Sequence, residues 1–299
     1  MRIRFGVSPI AWINDDMPEL GGGTPIEQVL AEAHDLGFEG IELGGSFPRA
    51  AQELGALLAR FDLALVGGWY SASLLTRSAR EEIAALQTHL ALLKALGCRV
   101  FILAETSNAI HGDRARPLSA TPRLDREAWA RFGAQLTEVA DSVAAAGLRL
   151  AYHHHLGTVV ESGEDMERFL ASTGPSVGMT VDTGHAALGG VDAVSLIRAH
   201  PERVAHVHAK DIRGKVFRKI AAEGGSFLRG VLEGMFTVPG DGDLDFRKVM
   251  QALANIDYSG WIIVEAEQDP AVADPRRYGE LGLATLRREA AAAGLKTAE

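Results

Sequence analysis

Residues 135–155 read QLTEVADSVAAAGLRLAYHHH. An alanine-rich amphipathic run closes on Gly147, a short apolar run follows, and three histidines end it. Glycine supplies the left-handed backbone that stops a helix. A short, almost wholly apolar run after it reads as a strand buried on both faces. The same phrase recurs in LQTHLALLKALGCRVFIL (86–103) and, with Tyr-Ser-Gly as its turn, in KVMQALANIDYSGWIIVE (248–265). The stretch TPIEQVLAEAHDLG (24–37) predicts a helix with Thr24 as cap, Pro25 in the first turn and Gly37 as its stop.

Read outward from that phrase, the chain holds eight strand-like runs. They are RFGVS (4–8), GIELG (40–44), LALVGG (63–68), RVFILAE (99–105), LRLAYHHH (148–155), GMTVD (178–182), VAHVHAKD (204–211) and WIIVEAE (261–267). Alternating strand and helix means a parallel sheet with helices outside, and eight units predict closure into a single (β/α)8 TIM barrel over residues 1–299. An open doubly wound sheet is the alternative. It would carry a glycine-rich phosphate loop after an early strand, and no such motif occurs. Residues 290–299 read as a frayed tail.

Composition narrows the function. The net charge is −9 over 299 residues. That argues against a nucleic-acid partner, which calls for a basic face, and against anionic lipid. Cys98 is the single cysteine, so no intrachain disulfide is available. The start, MRIRFGVSPIAW, lacks a signal-peptide pattern, and no window nears roughly 18 consecutive apolar residues. The expectation is a cytoplasmic enzyme with no membrane partner. Homo-oligomer formation is left open.

Barrel active sites lie at the C-terminal ends of the strands. There the chain places Trp12, Asn14 and Asp15, then Glu42, Glu105, His153–His155, Glu161, Asp182, His185, His206, His208, Lys210, Asp211, Glu265 and Glu267. Strands stand about 4.8 Å apart, so carboxylates and imidazoles ending the last four strands converge, and a divalent cation relieves their repulsion. Asp182, His208 and Glu265 are the expected metal ligands, with Glu161 preferred over His153 as the fourth. Mixed imidazole and carboxylate ligation suits Mn²⁺, Co²⁺, Zn²⁺ or Fe²⁺. His206, two residues before His208, shares its face at greater depth. His154 points opposite to His153 and His155 and reads as structural. The long stretch 212–245 predicts a lid containing a short helix at FLRGVLEGMF.

The motifs VDTGH (181–185) and HVHAKD (206–211), with a last strand ending Val264-Glu265, resemble the xylose-isomerase-like barrels. Within that group SPIAWINDDMPELG (8–21), YHHHLGTVVES (152–162) and FTVPGDGDLDF (236–246) resemble the inosose dehydratases, over nearly the whole chain. The resemblance implies a Mn²⁺- or Co²⁺-dependent hydro-lyase of inositol catabolism. Its substrate would be a cyclic polyol ketone, 2-keto-myo-inositol (scyllo-inosose), and its product a trihydroxycyclohexane-1,2-dione. It implies the same three ligands, His185 and a group near Lys210–Arg213 against the substrate, and glutathione as a family cofactor for which no sequence feature marks a site. Many epimerases of the group carry a glutamate where this chain has His153.

Loss of water needs a base for the C–H proton and an acid for the departing hydroxyl, and imidazoles suit both. His155 and His185 are the expected acid/base pair and Lys210 a carbonyl or hydroxyl partner. Trp12, Asn14, His153 and Arg213 are expected against the substrate, with Trp69 and Lys215 as further candidates. An isomerase or epimerase using the same metal is the nearest rival. An endonuclease-IV-like phosphodiesterase would want a basic groove, and a sugar-binding protein would lack the metal cluster.

Overall fold

The computed structural model describes residues 2–297. Its strands, in chain order, are β1 (Ile3–Val7), β2 (Gly40–Leu43), β3 (Ala64–Ala72), β4 (Val100–Glu105), β5 (Arg149–His153), β6 (Gly178–Asp182), β7 (Val204–Ala209), β8 (Asp211–Ile212), β9 (Phe236–Thr237) and β10 (Gly260–Val264). Eight of them form a closed parallel barrel, and β8 with β9 makes a separate two-stranded antiparallel ribbon. The ring closes where β10 pairs with β1, Ile3 standing opposite Gly260 and Val7 opposite Val264. This is the predicted barrel, and it excludes the open sheet.

Strand alternation sorts the side chains. On β5, Leu150 and Tyr152 face the helical layer, where Tyr152 lies 4.7 Å from Phe169 and 6.0 Å from Phe132 between ring centres. Each such fully buried side chain contributes roughly 1.5–3 kcal/mol. Ala151, between them, packs with Val100 and Ile102 in a separate small cluster inside the barrel. Gly40 makes room for Trp261 there: a Cβ would stand 2.7 Å from the indole ring. The β6–β7 register breaks between Met179, opposite Val204, and Thr180, opposite His206. The extra residue, Ala205, is a bulge of the kind that re-aims side chains next to active sites. Beyond it the pairing is regular and brings His208 opposite Asp182.

Several boundaries differ from the sequence reading. The first helix runs Ile26–Leu36 with Pro25 as its cap residue and no side-chain cap, because Pro25 keeps an extended ψ of 138°. Gly37 ends it at φ 85°. β3 extends four residues past Gly68, since Trp69 through Ala72 pair with Ile102 through Glu105. This carries Trp69 and Ser71 to the barrel mouth. The C-terminal helix holds to Ala292, and the Ile3 N–H donates to the Lys296 carbonyl at 2.8 Å, so the tail is tied to β1. Ala298 and Glu299 lie outside the described residues.

The stretch 212–245 contains two helices, Gly214–Ala222 and Phe227–Leu232, of which only the second is predicted. The Asp211 carboxylate accepts the adjacent Ile212 N–H and gathers the far end by accepting those of Gly240, Gly242 and Leu244. Phe227, Val231 and Phe236 pack with Met17, Leu118 and Leu156 from three other loops. A second, smaller core thus sits over the C-terminal end of the barrel. Among the described residues no helix is long and apolar enough to cross a membrane.

Candidate active site and metal-holding cluster

His153 ends β5, Asp182 ends β6, His208 lies on β7 and Glu265 follows β10. All four are buried, and one donor atom from each lies within 4.8 Å of the others. His153 Nε2 is 3.2 Å from His208 Nδ1 and 3.7 Å from Asp182 Oδ2. His208 Nδ1 is 3.6 Å from Asp182 Oδ2 and 2.8 Å from Glu265 Oε2. Asp182 caps the helix Thr183–Leu188, its Oδ1 accepting the His185 N–H at 2.8 Å. Its Oδ2, buried and without a hydrogen-bond partner, is turned into the cluster. Two imidazole nitrogens and two carboxylates converging on an orphaned buried oxygen fit a divalent transition-metal ion.

Glu161 is not among these groups. It is half-buried, and its Oε2 accepts the Gly157 N–H at 2.6 Å and the Thr121 hydroxyl at 2.8 Å. The turn at Gly157, φ 77°, folds the chain so that this carboxylate is consumed locally.

Behind His208 stands Glu42 of β2. Its Oε1 lies 3.1 Å from His208 Nε2 and 2.9 Å from His206 Nε2, so both imidazoles donate to it through Nε2. Burial pushes the Glu42 carboxyl up, but His208 and His206 outweigh it and hold Glu42 ionised. With Nε2 engaged, His208 presents Nδ1 to the cluster. Carboxylates in this position fix the tautomer and basicity of a ligating histidine. Glu42→Gln is therefore expected to weaken divalent-ion affinity about 10–100-fold. Calorimetric titration checks this, and parent-like affinity would refute it.

On the other side of Asp182 lies Lys210, with 0% exposure. Its Nζ is 2.6 Å from Glu267 Oε1, 2.8 Å from Glu265 Oε1 and 3.5 Å from Asp182 Oδ2. Burial alone disfavours the charge, yet these three carboxylates hold the ammonium well above its usual range. His185 Nδ1 lies 3.3 Å from the Leu156 N–H, and its Nε2 lies 3.0 Å from Lys210 Nζ and 3.3 Å from Glu267 Oε1. The ring of His155 lies 3.8 Å from that of His185. His155 Nδ1 donates to the Leu156 carbonyl at 2.7 Å, which leaves Nε2 unprotonated. Burial, then His185 and His111, keep His155 well below its ordinary pKa, so it is a neutral base.

These groups border a cavity of about 630 Å³. His153, His155, His208, Glu265 and Glu267 reach it; Asp182, His185 and Lys210 stand behind them. Trp69 covers one side, its ring 5.2 Å from His153 and 5.8 Å from His155. Asn14 also borders the cavity. Its Oδ1 accepts the Asp16 and Met17 N–H groups, while its buried Nδ2 has no partner.

Asp16 and His111 both border the cavity and escape the sequence reading. Asp16 is half-buried, and its carboxyl is pushed up to about 7 by burial and by Glu267 and Asp15. Its sequence signals are adjacency to Asp15 and its place in the stretch SPIAWINDDMPELG. His111, from the long loop after β4, tilts against His155 at 4.8 Å with its Nδ1 unpartnered.

Three expected substrate contacts lie elsewhere. The Trp12 indole N–H donates to Glu32 Oε2 at 2.7 Å and its ring is buried away from the cavity. Arg213 donates to the Gly234 carbonyl at 2.9 Å, to Thr237 Oγ1 at 3.2 Å and to Asp241, bracing the ribbon. Lys215 is exposed. His206 lies against Glu42, and His154 is buried with its pKa lowered to about 3, chiefly by burial.

A family model described as xylose isomerase-like TIM barrel matches residues 30–289. The rhizopine catabolism protein MocC of Rhizobium meliloti is 45% identical, over 99% of this chain and 91% of its own length. Inosose dehydratases of Geobacillus thermodenitrificans and Bacillus licheniformis are each 39% identical over 93% of this chain, and over 94% and 92% of their own. Among solved structures, an L-ribulose 3-epimerase superposes with a TM-score of 0.69 at 18% identity, covering 98% of this chain and 96% of that one. At that identity the likeness concerns the fold alone.

Proposed function

Since the chain belongs to the xylose isomerase-like TIM-barrel family, with relatives named inosose dehydratase along nearly its whole length, we propose that it removes water from 2-keto-myo-inositol or a close cyclic polyol ketone. Its relatives make it an enzyme of the lyase class. The observation that carries the reading is the pair facing the cavity: an unprotonated imidazole nitrogen on His155 and a carboxyl on Asp16 that holds its proton near neutrality.

His153, Asp182, His208 and Glu265 would hold the divalent ion, manganese or cobalt, which when bound supplies a Lewis acid for the ketone oxygen. His155 Nε2 takes the proton from the carbon next to the ketone. Asp16 gives its proton to the β-hydroxyl as the C–O bond breaks, and water leaves. His185 shields His155 from behind and holds it in place. The free Asn14 N–H group donates to a ring hydroxyl, and Trp69 excludes water from the histidine side. The segment 212–245 keeps the imidazoles dry through Phe227, whose ring lies 5.0 Å from His155.

An epimerase would return the proton to the same carbon instead of expelling hydroxide. The two outcomes separate by product. Incubation of Mn²⁺-loaded protein with 2-keto-myo-inositol is expected to give a species lighter by one water, with the ultraviolet absorbance of a conjugated dione. Isomers of unchanged mass would overturn the dehydratase reading.

A further inference from the structure

A second group of donors stands beside the first. His155, His185 and Glu267 are buried and each brings a donor atom within 4.8 Å of the others, with the two Nε2 atoms 4.0 and 3.3 Å from Glu267 Oε1. By donor type alone this trio would take a second divalent ion, with Glu265 as the carboxylate between the two positions. A cation is already there. Lys210 Nζ lies 2.6 Å from Glu267 Oε1, 3.0 Å from His185 Nε2 and 2.8 Å from Glu265 Oε1.

The lysine is built in. Thr183 Oγ1 donates to its carbonyl at 2.6 Å and accepts its N–H at 3.0 Å. A Cβ on Gly184 would stand 2.7 Å from Lys210 Cγ, so only glycine leaves room for the stem. The ring of Phe236 closes the remaining side, 4.6 Å from Nζ.

Charge gives the same answer as geometry. Asp182, Glu265 and Glu267 bring three negative charges to one buried volume, and the ionised Glu42 behind His208 adds a fourth. One ammonium and one divalent ion bring three positive charges against these four, and a second divalent ion beside the ammonium would raise the total to five and overshoot. Buried charge must be compensated closely in a low-dielectric interior.

We propose that the Lys210 ammonium occupies the position of a second metal ion, limiting the chain to a single divalent ion, and that its removal opens a divalent-ion site on His155, His185 and Glu267. The consequence is chemical. A second ion would claim the Nε2 lone pair of His155 and lead toward two-metal chemistry. The ammonium leaves that lone pair to the substrate. The proposal rests on the reading that His153, Asp182, His208 and Glu265 hold one ion.

The test is metal stoichiometry. Parent and Lys210→Met proteins are stripped with a chelator, loaded with Co²⁺, passed through a desalting column and counted by plasma mass spectrometry. The variant is expected to hold one ion more than the parent. Adding His185→Phe to it should remove the extra ion. Equal counts in parent and Lys210→Met, or an extra ion indifferent to His185→Phe, would overturn the proposal. A parent with no ion would instead sink the reading of the first cluster, while the difference between variant and parent still decides the role of the lysine. If Lys210→Met and Lys210→Gln are unstable when stripped, Co²⁺ must restore their melting transition up to the second equivalent. Failure to fold at any Co²⁺ level would also count against it, since an ion is claimed to replace the ammonium.

Discussion

Asp182→Asn is expected to lose the bound ion and at least about a thousandfold in kcat/KM, some 4 kcal/mol of barrier. The variant keeps the shape of the residue and can keep its cap: an amide oxygen still accepts the His185 N–H that Asp182 Oδ1 now holds at 2.8 Å. What changes is the second atom. Oδ2 faces Lys210 Nζ at 3.5 Å, His208 Nδ1 at 3.6 Å and His153 Nε2 at 3.7 Å. An amide NH₂ there turns a donor toward an ammonium and toward nitrogens meant to ligate. One of the buried negative charges that face Lys210 and would balance a divalent ion is also lost. The fold should survive, because Lys210 retains Glu265 and Glu267 and the barrel closes elsewhere, at β1 and β10. Metal content, turnover and the melting temperature are measured together. Parent-like metal content with parent-like turnover would remove Asp182 from the site.

The strands of this barrel are legible because burial on both faces leaves few polar residues in them. Those few stand out when they gather at one end, as in GMTVD, VAHVHAKD and WIIVEAE. Period two then tells which side chains share a face, which separates His153 from His154. What the pattern cannot carry is where loops return. Glu161 and His153 compete on paper; only the backbone turn at Gly157 shows that the glutamate closes on its own loop. Trp12 and Arg213 are the right residue types in the right loops, but a buried indole N–H and a guanidinium seek partners, and Glu32 and the ribbon carbonyls are nearer than the cavity. Asp16 fails to stand out for the opposite reason. Its character comes from Glu267 and from burial, neither of which is local in sequence. The register between β6 and β7 is a further case, since the bulge at Ala205 follows from pairing with β6 and not from its own residues.

The paired substitutions His155→Gln and Asp16→Asn are expected to split the reaction into its two proton transfers. His155→Gln should stop both steps and lower kcat about 10²–10⁴-fold, since the base is gone. Asp16→Asn should behave differently. His155 Nε2 still faces the cavity, so in D₂O the substrate should go on exchanging the hydrogen next to its ketone, seen as deuterium incorporation, while dehydration falls by a similar factor. Both variants should bind the ion as the parent does, because neither side chain is one of His153, Asp182, His208 and Glu265, the four proposed to hold it. The pH profile adds a sign. An acid whose pKa is raised to about 7 carries its proton below that pH and loses it above. Parent turnover should therefore decline as pH rises through neutrality, and this limb should vanish from the residual activity of Asp16→Asn. If exchange and dehydration fall together in Asp16→Asn, that carboxyl does not serve the leaving group. If exchange continues in His155→Gln, the proton is taken by another base, and His111, tilted against His155 with a bare Nδ1, is where the search would turn.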